Sequence, residues 1–340
     1  MLRNFFILLF IIFSPNLFGQ TTSQEIPDSS RDQLELDTNI FNPQFIGLTF
    51  NFTGIYHTDS PPFDHSSTEE DQHIYDSSYY LINEGPSEKN YETYFSLACA
   101  LWKLNKSEAA KRMFLKILNS KDSFYTYTYY HSSDIPGDTT HNTYGYGNFT
   151  SSYKHSACMY LTKINIEQRK FPNALACLEA AVRKYEVVYN CGTGYSFQQE
   201  EYRYLYGLCY EGLGENKKVI SLLLPFIFSG GNSESLIRVI RKEYSKNQIR
   251  YYLQKAINSI RCTVDKKPSS SFIYANMGEE NEKRTETKYY SGTGTINLFN
   301  RIITLPSPFL KDGERLTRKY YVDLFKNSGI STYLLGESFD

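Results

Sequence analysis

Helical spacing of apolar residues begins near Tyr91 and dominates the middle of the chain. Tyr94, Leu97, Ala98, Leu101 and Leu104 recur at i, i+3, i+4 and i+7 and predict one helix, and Ala110, Phe114, Ile117 and Leu118 predict a second. Ser107 is the expected N-cap of that second helix, with Glu108 placed to complement its dipole. The same two-helix pattern returns twice. Ala98, Leu101, Asn105, Ser107, Ala110, Phe114 and Ile117 are matched at identical offsets by Thr162, Asn165, Arg169, Phe171, Ala174, Leu178 and Ala181. A third set is Gly207, Tyr210, Gly214, Asn216, Val219, Leu223 and Phe226. Pro225 interrupts the last helix.

The shared frame is a small residue in the first helix, a turn residue seven positions on, and a small residue in the second helix followed by a large apolar one four later; in the second copy Thr162, Asn165 and Arg169 depart from its small, large and Gly-like choices. On these positions the segment from about 91 to 228 resembles the tetratricopeptide repeat family. The resemblance implies stacked antiparallel helix pairs that expose a binding surface rather than a catalytic centre. Small side chains where two helix axes approach would let Phe114 or Leu223 reach towards a neighbouring unit. An irregular helical bundle is the competing architecture. A fourth pair is expected over Ser233–Tyr244 and from Ser245 to Ile260, where Ser245 and Gln248 form a capping-box pattern.

The flanks change character. MLRNFFILLFIIFSPNLFGQ has the basic start, short apolar run and polar exit of a cleavable secretory signal, so 1–19 is read as that signal. A polar, flexible lead is expected over 20–75, with a strand only at Phe45–Tyr56, and the helical repeat domain over 76–262. Residues 263–340 are expected to form a small α/β cap. In it SGTGT (Ser291–Thr295) is the turn of a hairpin, Ile296–Leu305 satisfies either strand or helix spacing, and Leu316, Tyr320, Leu324 and Phe325 mark a final helix stopped by Gly329. The predicted fold class is therefore mainly α: a solenoid of three to four such pairs with a small C-terminal α/β cap.

Spacing between the copies is the informative irregularity. Ala98 and Thr162 are 64 residues apart, and Thr162 and Gly207 are 45 apart, against about 34 for the family's repeat. Both excesses follow a second helix, so both insertions leave the same edge of the stack. They contain Tyr125, Tyr127, Tyr129, Tyr130, Tyr144 and Tyr146, then Tyr189, Tyr195 and Phe197, among Ser, Thr, Asn and Gly. Rigid amphipathic rings beside small polar residues are the composition of a contact loop, and these nine residues are the expected binding set for a protein, or alternatively for a glycan. The plain alternative is that the rings pack back on the helices.

Charge and chemistry narrow the classes further. The formal net charge is -1, with 36 basic and 37 acidic side chains, which gives no footprint for nucleic acid. His57, His65 and His73 stand among acidic residues without ligand spacing, and a solvated acidic loop is the expectation there; His131 and His141 with Asp134 and Asp138 make a weak ion-site candidate. No metal or cofactor is expected. Cys99, Cys158, Cys177 and Cys209 fall in helical patterns and are expected as buried thiols, leaving Cys191 as the one in a loop. Gly292-Thr-Gly294 lacks the lysine of a phosphate loop, and Glu200 and Glu201 are read as a helix start. No nucleophile pairs with a base, so the expectation is a secreted or periplasmic binding protein and not an enzyme; a hydrolase using His131, His141 and their neighbouring aspartates is the discounted alternative.

Overall fold

The computed structural model describes residues 63–121, 125–126, 149–185, 187–189, 192–228, 233–264, 270–274, 285–305, 309–311 and 313–337, all within the unit Pro43–Asp340. The signal segment, the Phe45–Tyr56 strand and Cys191 lie outside them. The fold is mainly helical with antiparallel sheet. Helix α1 (Glu69–Ser78) leads into three helix pairs: α2 (Tyr91–Lys103) with α3 (Ser107–Asn119), α4 (Tyr153–Glu167) with α5 (Phe171–Lys184), and α6 (Gly192–Gly212) with α7 (Asn216–Leu223). Then come α8 (Glu234–Glu243) and α9 (Lys246–Ser259). Each pair packs along itself and on the next through α3 against α4, α5 against α6, α4 against α6, and α7 against α8.

The three reversals are the same object. Asn105, Arg169 and Gly214 have φ of 59°, 55° and 74°, all left-handed. The next residue's N–H reaches back five residues to the equivalent carbonyl each time: Lys106 to Leu101 (2.8 Å), Lys170 to Asn165 (2.8 Å) and Glu215 to Tyr210 (2.9 Å). The shorter bond recurs as well, from Asn105 to Trp102 (3.0 Å), Arg169 to Ile166 (2.9 Å) and Gly214 to Glu211 (3.0 Å). Those two bonds define the Schellman helix stop, which satisfies the orphan carbonyls while reversing the chain. It also decides the next helix start. Lys106, Lys170 and Glu215 become the N-caps with no side-chain cap, and Ser107 is the first helical residue rather than the cap expected of it.

Close approach follows from the small residues. Ala98, Ala110, Thr162, Ala174 and Val219 are fully buried, and a Cβ on Gly207 would stand 2.8 Å from Leu223 Cδ1. Thr162 tolerates its burial by donating to the Cys158 carbonyl (2.8 Å), and the buried Asn165 accepts from Lys111 Nζ (3.0 Å). Phe114 crosses into the next pair and stacks on Tyr160, with centroids 4.9 Å apart. Pro225 ends α7 in a 3-10 turn, Leu224–Phe226.

Elsewhere the chain departs from its sequence reading. Part of the lead expected to be flexible is helix α1, because Thr68 and Asp71 form a reciprocal capping box and Asp71 also pairs with Lys103 (3.1 Å). The expected fourth pair is not a hairpin. Ser245 and Gln248 do make their capping box, but Tyr244 and Ser245 are both extended, and α9 packs on the strand Thr285–Leu298 and the helix Ile330–Leu335. The C-terminal region is a five-stranded antiparallel sheet of β4 (Arg261–Val264), β5 (Ser270–Tyr274), β6 (Thr285–Leu298), β7 (Arg301–Leu305) and β8 (Phe309–Lys311), with β6 as its shared partner. Three further strands belong to the insertions: β1 (Tyr125–Thr126), β2 (Phe149–Ser152) and β3 (Val187–Tyr189).

Ser291–Thr295 is no turn; it is the middle of β6. Its glycines serve packing instead, since a Cβ on Gly294 would lie 2.5 Å from the Tyr321 ring and one on Gly292 2.5 Å from Leu316 Cδ2. The true hairpin turn is Phe299–Asn300, both left-handed (φ 49° and 62°), with the Phe299 ring held between Tyr244 and Tyr252 at 5.1 and 5.2 Å. Ile296–Leu305 is therefore strand, turn and strand. The final helix is α10 (Arg318–Asn327), buried through Tyr321 and Phe325 rather than Tyr320, and Gly329 at φ 78° separates it from α11 (Ile330–Leu335).

Two stability measurements follow. A built Cβ on Gly214 meets nothing within 4 Å, so Gly214→Ala tests backbone strain alone and should cost about 1 kcal/mol in urea unfolding, while Arg169→Gly should cost nothing. Gly294→Ala should cost roughly 1–3 kcal/mol by overpacking against Tyr321; an unchanged midpoint would mean that the ring moves freely.

Candidate interaction site

Both insertions meet in one sheet. β2 is central, pairing Tyr125 with Ser152 on the β1 side and Phe149, Thr150 and Ser151 with Tyr189, Val188 and Val187 on the β3 side. The β-branched Val187 and Val188 suit the pleat. β2 runs directly into α4, whose N-cap Ser152 accepts from the His155 N–H at 3.1 Å, and β3 leads into α6. The sheet is thus anchored on the N-terminal ends of α4 and α6. Glu200 and Glu201 consequently lie well inside α6, where Glu201 pairs with Lys163 of α4 at 2.7 Å.

Of the nine expected contact residues, Tyr127, Tyr129, Tyr130, Tyr144 and Tyr146 lie outside the described residues, and Tyr125 is placed by its strand pairing. Tyr195 and Phe197 belong to the first turns of α6 rather than to a loop. Tyr189 and Tyr195 pack edge to face with centroids 5.1 Å apart. Burial raises the Tyr189 phenol above its ordinary range, against hydrogen bonds to Gln199 and Tyr202 that lower it. Tyr202 in turn shares a 2.6 Å hydrogen bond with His155 Nε2. These rings hold the sheet to the helices. Phe197 does not: it is 57% exposed, and Val188, on the opposite face of β3 from Val187 and Tyr189, is 46% exposed.

The opposite end of the stack carries a second cluster that the sequence did not announce. Phe63 is buried with its ring 6.4 Å from both Trp102 of α2 and Tyr204 of α6. The His65 ring lies 4.4 Å from the Trp102 ring and donates from Nδ1 to the Trp102 carbonyl at 2.9 Å. His65 Nε2 pairs with Glu167 at the end of α4, and Trp102 Nε1 donates to the same carboxylate at 3.3 Å. His65 was expected in a solvated acidic loop; it is instead fixed between two helix ends.

His57, His131 and His141 with Asp134 and Asp138 lie outside the described residues, among which no group of three metal-capable side chains gathers. Cys99, Cys158, Cys177, Cys209 and Cys262 are free thiols; Cys158 and Cys209 are buried as expected, whereas Cys99 and Cys177 keep some exposure. Burial pushes Cys177 up to about 11 and Cys99 and Cys209 to about 12, and raises Cys158 also, so these four are poor nucleophiles at neutral pH. Among the described residues no helix is long and apolar enough to cross a membrane. Comparison of the chain with known protein families, with curated proteins and with solved structures returns no match.

His155 supplies a pH test of the anchoring. Burial lowers its pKa to about 4, with Glu201 opposing, and its Nδ1 has no hydrogen-bond partner among the described residues. The unfolded chain, with an ordinary histidine near 6.5, binds the proton first as pH falls, so stability drops as pH goes from about 6.5 to about 4 and the effect levels off below. Urea unfolding should show the advantage of the parent over His155→Phe shrinking by up to about 3 kcal/mol across that window. A constant difference would place His155 in contact with water.

Proposed function

We propose that the chain is an exported, non-catalytic scaffold for protein–protein contacts, built on tetratricopeptide-like helix pairs and binding through the edge where its insertions emerge. The observation that carries this reading is the triple recurrence of one helix, left-handed residue and helix unit at Asn105, Arg169 and Gly214, with both insertions joined by the β2–β3 pairing. A unit that cannot bury its own face must stack, and stacking leaves long surfaces whose side chains are free to vary. The apolar side chains left outward at this edge, Val188 and Phe197, support the same surface. Export rests on the signal-like pattern of residues 1–19.

The test is capture from the cell-envelope fraction of the source organism by the chain beginning at Gln20, beside the double variant Val188→Ser, Phe197→Ser. Both side chains are exposed, so the melting temperature should hold within about 2 °C. A protein retained by the parent and lost from the variant supports the reading. Retention of glycans alone moves the site to the alternative ligand class, and equal capture by both moves it away from this edge.

A further inference from the structure

The stretch before α1 lies across three helices that belong to three different repeat units. Phe63 touches α2 and α6 through Trp102 and Tyr204, and His65 touches α2 and α4 through Trp102 and Glu167. The first helices of the pairs therefore share a face, and that face holds a piece of chain from outside the repeats. Phe63 and His65 point inward while Asp64 points out, where its carboxylate accepts from the Ser66 N–H (2.8 Å) and hydroxyl (2.7 Å). Inward, outward, inward is the period of an extended segment, two residues of which read alternate pockets.

The pocket chemistry is specific. Phe63 has aromatic edges on two sides, at interplanar angles of 61° and 75°, the arrangement aromatic rings prefer. His65 lies against the Trp102 ring, tilted by 53°, finds a carbonyl for one nitrogen and a carboxylate for the other, and Trp102 holds that carboxylate in place. We infer that this cleft over α2, α4 and α6 is a binding site for an extended peptide with an aromatic residue and, two positions on, a histidine, and that Phe63–Ser66 is its occupant in cis. A segment tethered this closely acts at millimolar effective concentration, so it closes the cleft to any partner that does not match the same two pockets. The inference stands apart from the binding edge proposed above, since it uses none of the inserted strands.

Trp102 is the one tryptophan of the chain, so its fluorescence reports the cleft directly. The experiment compares the parent with the double variant Phe63→Ala, His65→Ala, each titrated with the free peptide SPPFDHSST, which is residues 60–68. Emission of the variant should lie to the red of the parent, and the peptide should return it to the blue with saturation. In the parent the cleft is already filled and Trp102 emission stays blue, so affinity is compared there and in the variant by the anisotropy of the same peptide carrying an N-terminal fluorescein, and the parent should bind it about tenfold more weakly or worse. A peptide with alanine at both anchor positions should do nothing. Equal affinity in parent and variant, or no saturable change at millimolar peptide, overturns the inference. So does a variant that becomes a dimer in light scattering, because the cleft would then be filled by a second copy. Should the double variant lose its helical circular dichroism, His65→Gln, which removes the pairing with Glu167 and keeps the apolar contacts, takes its place with the same expected order.

Discussion

A single backbone requirement underlies the three helix pairs: one residue in the left-handed region at the end of each first helix. Asn105, Arg169 and Gly214 meet it. With the two backward hydrogen bonds in place, the chain reverses within about two residues and the following helix must begin at once. Only glycine adopts that conformation without strain, and asparagine tolerates it. Arginine at the second reversal shows that the packing of α4 on α5 outweighs a local cost of about 1 kcal/mol.

That tight reversal divides the stack into two unlike ends. A Schellman turn has no room for added residues, so insertions can leave only from the other end, after α3 and after α5. There they find each other, and the β2–β3 pairing ties the edge of one unit to that of the next. The reversal end is instead where α2 and α4 finish, bringing Trp102 and Glu167 within reach of the stretch before α1. Partly screened ion pairs also link neighbouring helices: Asp71 with Lys103, Lys163 with Glu201, and Glu211 with Arg238. Such pairs contribute little to stability, on the order of 1 kcal/mol or less each, and more to holding neighbouring helices in register.

The C-terminal sheet obeys a different rule. β6 is long enough to pair with β5 and β8 along its first half and with β4 and β7 along its second, and its glycines are where helix α10 and the segment before it press on the sheet. Ser-Gly-Thr-Gly-Thr has turn composition and strand conformation because Tyr321 and Leu316 need the space that side chains would fill. Phe299-Asn300 lacks the glycine of a favoured hairpin turn, and the aromatic contacts of Phe299 with Tyr244 and Tyr252 offset its backbone cost.

The sequence by itself determined three helix pairs, their turn positions, the burial of the small residues and of Cys158 and Cys209, and the edge from which the insertions leave. All of these follow from period and offset, which are local properties written within about thirty residues. Tertiary structure alone decided that Tyr195 and Phe197 stand on α6, that Tyr189 anchors while Phe197 projects, that Ser291–Thr295 is a strand, and that Phe63 and His65 pack on Trp102. His65 and Glu167 are 102 residues apart, and Gly294 and Tyr321 meet only because a sheet and a helix pack. Periodicity says which side chains leave water; it does not say what they meet, because that depends on contacts whose partners are far apart in the chain.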